Sequence, residues 1–301
     1  MFQLIADSGS TKTDWAFCAP NYPTQQFKTS GMNPSLMDDE TIVHLLRTEV
    51  IPELHRLVEE HLPQSLETSL LLASHKKLID KIRFYGAGCR PEQEVRMSRL
   101  LGKWLRAHSV SVASDLLGAA HALCGTQEGI VCILGTGSGS ALYNGARFVQ
   151  STPSLGYILG DEGSGASLGK HLIADVFKQQ LPKHICEAFV ETYQIDIASA
   201  IQHIYREESP NRYMASFTHF LTANLEDKSI QDFLVREFRM FFYRNIKPYK
   251  RADLKVSFVG SIADVFKSEL SIAAELEGFQ VGKIIASPLD AILTQPITPS
   301  E

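Results

Sequence analysis

The spacing of hydrophobic and polar residues divides the chain into short apolar runs and longer stretches with helical periodicity. Apolar runs at residues 2–6 and 15–19 predict two strands, and the turn-forming sequence DSGSTKTD lies between them. Residues 38–61 carry apolar side chains at the three- and four-residue spacing of a helix, which Pro52 is expected to kink. Further strands are predicted at residues 81–86 and 110–113, and further helices at residues 92–108 and 116–124.

The strand–turn–strand pattern at the start of the chain occurs a second time. Residues 130–134 predict a buried strand, 135–139 a glycine-rich turn and 140–143 a returning strand, followed by the hairpin signal Asn144-Gly145. DSGSTKTDWAF and LGTGSGSALYN therefore open two halves of similar design. In the rest of the second half, residues 165–247 are predicted to be mainly helical. Strands are predicted at residues 255–260 and 281–285, and helices at residues 262–277 and 287–293.

Length and charge limit the classes of protein that fit. A chain of 301 residues predicts two domains with a cleft between them. Apolar residues make up 44% and charged residues 21%, as in a globular enzyme. The net charge of −5 with interspersed signs provides no basic stripe for a nucleic-acid backbone, so we expect no nucleic-acid partner.

Cysteine content and hydropathy indicate the compartment. The five cysteines are odd in number and lack metal-ligand spacing, which is typical of reduced thiols. No apolar run has the length of a signal peptide or a membrane span. We therefore expect a cytoplasmic protein with no membrane partner, and the sequence leaves its assembly state open, with a homodimer as one candidate.

The first turn has the composition of a phosphate site. Small residues let the backbone amides of Gly9, Ser10 and Thr11 point into one hollow, hydroxyls add donors and Lys12 adds a positive charge. Asp7 could hold Mg²⁺ directly or through water. This is no Walker A loop, because a strand follows it instead of a helix. An ordinary hairpin turn is the alternative interpretation.

The second turn strengthens the phosphate interpretation. Three glycines within five residues would be costly in backbone entropy for a plain hairpin, whereas a close approach of a ligand to Gly135, Thr136, Gly137 and Ser138 explains them. A flexible, solvent-exposed turn is the alternative.

Asp115 is the candidate catalytic residue. It follows a predicted strand and precedes a helix, at the strand end where open α/β sheets place their ligands. A carboxylate there can accept the proton of an attacking hydroxyl. The alternative is that Ser114 or Asp115 only caps the helix.

Two later glycine-containing segments complete the set of candidates. In GYILGDEGSGASLG, Asp161 and Glu162 could accept hydrogen bonds from a sugar or amide, or simply begin a helix with favourable charge. Gly260 and Ser261 end a strand, where a glycine would let an adenosine lie against the backbone.

These motifs together resemble the BadF/BadG/BcrA/BcrD-type ATPase family of the actin, hexokinase and Hsp70 superfamily, and within it the N-acetylglucosamine kinases. The resemblance covers nearly the whole chain and rests on the order of five strings: DSGSTKTDW, SD at 114–115, LGTGS, GDEGS and VGS. It implies an α/β fold of two ribonuclease-H-like, actin-like ATPase domains around a nucleotide cleft. The implied domains are residues 1–112, joined by a returning C-terminal helix at 287–301, and residues 113–286.

The resemblance also implies a function for each motif. Gly9, Ser10, Thr11 and Lys12 would form the first phosphate site, residues 135–138 the second, and Gly260 and Ser261 the adenosine site. Asp115 would be the base that acts on a sugar 6-hydroxyl, with ATP and Mg²⁺ as cofactors, while Asn33 and Asp161 would contact the sugar.

One departure and one alternative limit this prediction. Gly139 stands where N-acetylglucosamine kinases carry Asn, which leaves the hexose open. Other members of the family are ATPase activators that share an iron–sulfur cluster, but this sequence has no suitably paired cysteines. An ATPase activator or sugar-sensing regulator that transfers no phosphate to a sugar is the alternative function.

Overall fold

The computed structural model describes residues 2–61, 79–206 and 208–293. Contacts divide the chain into two compact units, of which the first is Met1–Ala122 with Pro288–Glu301 and the second is Leu123–Ser287. Each unit has its own apolar core and its own five-stranded sheet. The predicted α/β class is therefore confirmed.

The sheet of the first unit combines a hairpin with parallel strands. Its strands are β1 (Gln3–Ser8), β2 (Lys12–Cys18), β3 (Gln25–Ser30), β4 (Ile79–Gly86) and β5 (Ala107–Ser114). They lie in the order β3-β2-β1-β4-β5, in which β1, β4 and β5 are parallel while β2 and β3 run antiparallel to their neighbours. Strand β2 is buried along most of its length, with Trp15 stacked on Phe27 in the core.

Within residues 39–61 and 79–124, the described chain forms four helices. They are α1 (Asp39–Leu45), α2 (Ile51–His61), α3 (Pro91–Trp104) and α4 (Asp115–Cys124). A π-helical turn, Leu46–Val50, joins α1 to α2, so the helical stretch predicted at 38–61 is interrupted just before Pro52. Ile42, Leu46 and Val50 are fully buried in the core, which explains the helical spacing seen in the sequence.

The sheet of the second unit repeats the topology of the first. Its strands are β6 (Glu128–Leu134), β7 (Ser138–Asn144), β8 (Phe148–Thr152), β9 (Lys255–Val259) and β10 (Gln280–Ile285). Their order is β10-β9-β6-β7-β8, with β6, β9 and β10 parallel and β7 and β8 antiparallel. When β6 to β10 are matched to β1 to β5, the two sheets have the same strand order. The predicted repeat of the opening hairpin is thus part of a repeated sheet.

The second unit contains most of the helices. They are α5 (Gly156–Leu159), α6 (Gly165–Phe177), α7 (Lys183–Tyr193), α8 (Ile197–Arg206), α9 (Pro210–Ser216), α10 (Thr218–Ala223), α11 (Lys228–Phe241), α12 (Ser261–Val265) and α13 (Lys267–Leu276). A second π-helical turn, Phe242–Ile246, follows α11 and leads into a 3₁₀ turn, Lys247–Tyr249. The core is rich in aromatic rings, including Phe189, Phe217 and Phe258.

The chain returns to the first unit at its end. Helix α14 (Leu289–Leu293) contacts β1 and β2, and Gln26 Nε2 donates a hydrogen bond of 2.7 Å to Asp290 Oδ1. Residues 294–301 of the predicted C-terminal helix lie outside the described residues. The predicted domain boundary at 112/113 falls inside β5, whereas contacts divide the chain after Ala122. In the described part of the chain, no helix has both the length and the apolar character needed to cross a bilayer.

Candidate active site

The parallel strands of the first unit end together at one edge of the sheet. Ser8 of β1 is in register with Gly86 of β4, which is in register with Ser114 of β5. One residue earlier, Asp7 is in register with Tyr85. Because the chain enters α4 at Asp115, this carboxyl edge carries both predicted acidic residues, as expected for an α/β sheet.

The first predicted phosphate turn is a tight connection between β1 and β2. The Gly9 amide donates a hydrogen bond of 2.9 Å to the Lys12 carbonyl. Below the turn, the buried hydroxyls of Ser8 and Thr13 are 2.8 Å apart. Lys12 begins β2, and its Nζ lies 2.9 Å from Asp14 Oδ2 in an exposed position. The turn is therefore held from beneath by buried hydroxyls, and its lysine extends into solvent.

Gly31 forms the rear wall of this turn. A Cβ atom at this position would lie 2.4 Å from the Gly9 carbonyl oxygen, 2.7 Å from the carbonyl carbon of Ser10 and 2.8 Å from the Thr11 nitrogen. The Gly31 amide also donates a hydrogen bond of 3.1 Å to the Thr11 carbonyl. Only glycine fits between these backbone atoms. Sequence reasoning did not identify this contact with the turn.

Ser114 and Asp115 have separate roles at the start of α4. The Ser114 hydroxyl accepts a hydrogen bond of 3.2 Å from the Leu117 amide, as an N-cap residue does. Asp115 Oδ1 accepts one of 2.9 Å from the Leu116 amide. Ser114 thus supplies the cap, and the carboxylate of Asp115 is not required for it.

The acidic residues at the edge have perturbed affinities for protons. Desolvation raises the pKa of Asp115 to about 6, and the hydrogen bond from Leu116 partly offsets this rise. The residue as a whole is half-buried. Desolvation also raises the pKa of Asp7 to about 7, and the negative charges of Asp115 and Asp14 add to this effect. The charge of Asp115 therefore makes ionisation of Asp7 more costly.

The carboxylate chemistry at this edge fits a magnesium ion. Among the described residues, no three His, Cys, Asp or Glu side chains form a cluster suited to a metal. Magnesium, however, is commonly held by one or two carboxylates together with water and substrate phosphates. A dication beside Asp7 would also relieve the repulsion between Asp7 and Asp115 that raises the pKa of Asp7.

Helix α4 approaches the sheet closely at Gly118. A Cβ atom on Gly118 would lie 2.9 Å from Tyr85 Cγ and 3.0 Å from Tyr85 Cβ. Tyr85 is the residue in register with Asp7, and its Oη lies 3.4 Å from His121 Nδ1 further along the helix. Gly118 thus sets the distance from α4 to β4, and with it the place of Asp115 relative to Asp7.

Asn33 lies beside the first turn. Its side chain is 9% exposed; Oδ1 accepts a hydrogen bond of 3.0 Å from the Ser35 amide, and Nδ2 is 3.5 Å from Ser10 Oγ. The structure therefore brings this predicted sugar ligand next to the predicted phosphate site. Its role in binding sugar stays a prediction.

The second turn is braced by a helix of its own unit. The carbonyl of Gly135 accepts a hydrogen bond of 2.8 Å from the Gly165 amide, and that of Thr136 accepts one of 3.1 Å from the Ala166 amide. Both donors belong to the first turn of α6, whose free amides need acceptors. No atom lies within 4 Å of a Cβ built on Gly135. The turn is therefore fixed through its carbonyls, with open space beside its first glycine.

Asp161 contacts the second turn directly. Its Oδ1 accepts a hydrogen bond of 3.4 Å from the Ser138 amide, and its Oδ2 lies 3.2 Å from a Cβ built on Gly137. Desolvation raises the pKa of Asp161, the bond from Ser138 lowers it, and the charge of Glu162 raises it again. The structure thus brings together one predicted sugar ligand and one predicted phosphate ligand.

Gly260 packs behind the second turn. Its φ of +125° favours glycine, and a Cβ atom would lie 2.2 Å from the Leu134 carbonyl oxygen and 3.3 Å from the Gly135 nitrogen. Ser261 follows as the first residue of α12. The predicted adenosine motif and second turn are therefore neighbours, and nucleotide binding by them stays a prediction.

Comparison with known proteins identifies the family. No protein-family model and no curated protein sequence matches the chain. Among solved structures, a proposed N-acetylglucosamine kinase from Porphyromonas gingivalis is 38% identical, with a TM-score of 0.86 and 96% of each chain covered. This chain belongs to the BadF-type sugar kinase family.

More distant structures share the fold of this family member. A proposed N-acetylglucosamine kinase from Chromobacterium violaceum is 17% identical, covers 97% of each chain and has a TM-score of 0.71. A ROK family glucokinase from Streptomyces griseus, solved with glucose and AMPPNP, is 12% identical, covers 97% of each chain and has a TM-score of 0.52. Together with the repeated strand order, they confirm the predicted actin-like ATPase fold.

Sequence reasoning missed several residues that shape the site of this family member. Gly31 and Gly118 carried no local motif, because their constraint comes from backbone or side chains distant in sequence. Ser8 and Thr13 lay inside the recognised string, but their burial was not anticipated. Cys89 is buried near Asp115. Its burial, and to a smaller extent the negative charge of Asp115, raise the pKa of its thiol to about 12, so the thiol stays protonated and unreactive.

Proposed function

We propose that this protein is an ATP-dependent kinase that phosphorylates an amino sugar, N-acetylglucosamine, at its 6-hydroxyl. The observation that carries the proposal is the 38% identity over nearly the whole chain to a proposed N-acetylglucosamine kinase. The site geometry supports it independently, because an acid with a raised pKa stands at the carboxyl edge of the parallel strands.

In this proposal Asp115 is the general base. A pKa of about 6 leaves its carboxylate ionised at neutral pH yet basic enough to accept the proton of the attacking hydroxyl. The hydrogen bond from the Leu116 amide holds one carboxylate oxygen in place. General-base catalysis of this kind contributes about 10²- to 10⁴-fold to the rate.

The two turns are proposed to bind the phosphates of ATP. The amides and hydroxyls of residues 9–12 would form one phosphate site, residues 135–138 the other, and Gly260 with Ser261 would adjoin the adenosine. Asp7 would hold Mg²⁺, which neutralises charge on the phosphate oxygens when it is bound. Lys12 is exposed and pairs with Asp14 at the surface, so its ammonium can turn toward an anion.

Sugar recognition is assigned to Asn33 and Asp161. Each already contacts a phosphate turn of its own unit, Asn33 through Ser10 and Asp161 through Ser138. A sugar group bound by either side chain would therefore lie next to the proposed phosphate turn of the same unit. Such positioning provides most of the catalysis in phosphoryl transfer.

The decisive experiment measures ADP release against a panel of hexoses and N-acetylhexosamines, with ATP and Mg²⁺ present. We expect turnover that depends on N-acetylglucosamine and a product phosphorylated at the 6-position, identified by phosphorus–proton NMR correlation. ATP hydrolysis that ignores every sugar would refute the kinase proposal and favour the activator or regulator. Turnover with another hexose would retain the kinase and correct the substrate.

A further inference from the structure

Each unit contains a π-helical turn that is followed by a proline at the same spacing. The first, Leu46–Val50, precedes Pro52, and the second, Phe242–Ile246, precedes Pro248. In both, the residue just before the proline donates its amide to the carbonyl five residues back, from Ile51 to Leu46 and from Lys247 to Phe242. The repeat of the two sheets thus extends to an unusual helical feature.

The proline accounts for the widened turn. A proline ring in a helix clashes with the carbonyl four residues earlier and lacks the amide that would bond to it. Widening the preceding turn to bonds that span five residues relieves this crowding and keeps the backbone amides bonded. Such π-helical turns are rare and are found frequently at functional sites.

The first π turn presents Glu49 to the loop behind the first phosphate turn. Both carboxylate oxygens of Glu49 accept hydrogen bonds from Ser30, one of 2.6 Å from its amide and one of 2.9 Å from its hydroxyl. The Ser30 carbonyl accepts a further hydrogen bond of 3.1 Å from Thr13 Oγ1. The next residue is Gly31, the rear wall of the turn. Glu49 therefore fixes the segment against which the first turn packs.

The second π turn holds the loop that carries Asp161. Arg244 Nε lies 2.7 Å from Glu162 Oε1, and Asn245 Nδ2 donates a hydrogen bond of 3.2 Å to Glu162 Oε2. Glu162 adjoins Asp161, which accepts the hydrogen bond from the Ser138 amide of the second turn. Both carboxylate oxygens of Glu162 are therefore bound, as those of Glu49 are in the first unit. Here the π turn supplies the donors instead of the acceptor.

We propose that the two π-helical turns position the two phosphate turns, with Glu49 and Arg244 as positioning residues. Glu49 acts on the first phosphate turn through the adjacent residues Ser30 and Gly31. Arg244 acts on the second phosphate turn through the adjacent residues Glu162 and Asp161. Neither side chain is a catalytic residue. The kinetic part of the test rests on the proposed kinase function, whereas the structural part does not.

Amide hydrogen exchange of the nucleotide-free protein tests the structural part. We expect Glu49→Gln, which leaves a single acceptor oxygen, to speed exchange about fivefold in the peptide covering residues 8–13, since a hydrogen bond to a charged group at a partly exposed site contributes on the order of 1 kcal/mol. Arg244→Gln is expected to do the same for the peptide covering residues 159–166. Each effect should be confined to its own unit.

The chain offers a matched control for each variant. Glu53 lies one turn after Glu49 and pairs with Arg56 on the surface, so Glu53→Gln tests loss of a glutamate from the same helix. Arg239 pairs with Glu277 at 2.7 Å and is 50% exposed, against 54% for Arg244. Arg239→Gln thus removes an equivalent ion pair away from the loop. Equal acceleration in variant and control, or none in either variant, would overturn the proposal.

Steady-state kinetics provides the second measurement. Positioning predicts that Glu49→Gln and Arg244→Gln each raise the KM for ATP about fivefold while kcat changes less than twofold. Arg244→Gln should also raise the KM for the sugar, because Arg244 acts through the loop that carries Asp161. A fall in kcat alone, with exchange at the turns unchanged, would count against positioning. If the parent protein phosphorylates no sugar, the proposed function fails, and the exchange results decide the role of the π turns alone.

Discussion

Replacement of Asp115 by asparagine should separate catalysis from stability. Asparagine keeps an oxygen that can accept the hydrogen bond from Leu116, so the main change is the loss of a negative charge. We expect turnover in a coupled kinase assay to fall by about 10²- to 10⁴-fold, because an amide cannot accept the proton of the hydroxyl. Affinity for ATP should remain within about threefold, since no part of the nucleotide site is removed.

The same variant should be more stable at neutral pH. The folded protein raises the pKa of Asp115 from 3.8 to about 6, and at about 1.4 kcal/mol per unit the burial of the charge costs at most roughly 3 kcal/mol. Because the residue is only half-buried, we expect a gain of about 1–2 kcal/mol in the free energy of unfolding at pH 8. Thermal unfolding should show this as a rise of a few degrees in Tm.

The sign of the pH dependence makes the reasoning testable. Below pH 3.8 the carboxyl is protonated in both states, so parent and variant should unfold alike. The difference in the free energy of unfolding between variant and parent should grow as the pH rises from about 4 to about 6 and then stay constant. Ser114→Ala is the control, because it removes the cap and should cost about 1 kcal/mol at every pH. An Asp115→Asn variant that is less stable than the parent at pH 8, or that retains full turnover, would refute the assignment.

Four further outcomes are expected. Turnover of the parent enzyme should fall about tenfold per pH unit below about pH 6 as Asp115 becomes protonated, and a pH–rate profile that stays flat to pH 5 would contradict this. Gly31→Ala should weaken ADP binding, measured by calorimetry, by more than about tenfold, because its Cβ would lie 2.4 Å from the Gly9 carbonyl oxygen. Gly169→Ala should lower the free energy of unfolding, measured by chemical denaturation, by about 3 kcal/mol or more, because its Cβ would lie 1.8 Å from the Met214 carbonyl oxygen. Gly102→Ala, within α3, should instead raise the free energy of unfolding by up to about 1 kcal/mol, because its Cβ would make an ordinary contact of 3.4 Å with Val110.

Local sequence signals predicted the parts of this molecule that depend on local chemistry. Strand–turn–strand patterns identified both opening hairpins, and the apolar strand before Asp115 placed that residue at a sheet edge. Pro52 indicated the disturbed helix, because a proline acts on the turn that precedes it. The contact that this π-helical turn makes, between Glu49 and Ser30, involves a partner nineteen residues away and leaves no local trace in the sequence.

Constraints from distant partners explain the remaining differences. In the sequence, Gly118 looks like any other helical residue. The structure shows that a larger side chain at this position would clash with the ring of Tyr85 on β4. Asp161 was predicted as a sugar ligand, and the structure adds a contact with Ser138 that spacing in the sequence could not indicate. The second π turn escaped notice because the pattern of residues 228–246 is continuous and Pro248 lies at its end.

The return of α14 to β1 and β2 has a consequence for biosynthesis. The second unit is one uninterrupted segment, so it can fold as soon as residue 287 has left the ribosome. The first unit is completed later, because helix α14, which contacts its strands β1 and β2, is encoded after the second unit and Asp290 reaches Gln26 only then. Of the two units, the one that begins earlier in the chain is thus completed after the other, and nascent chains on ribosomes stalled before codon 289 should be cut by proteases in strands β1 and β2.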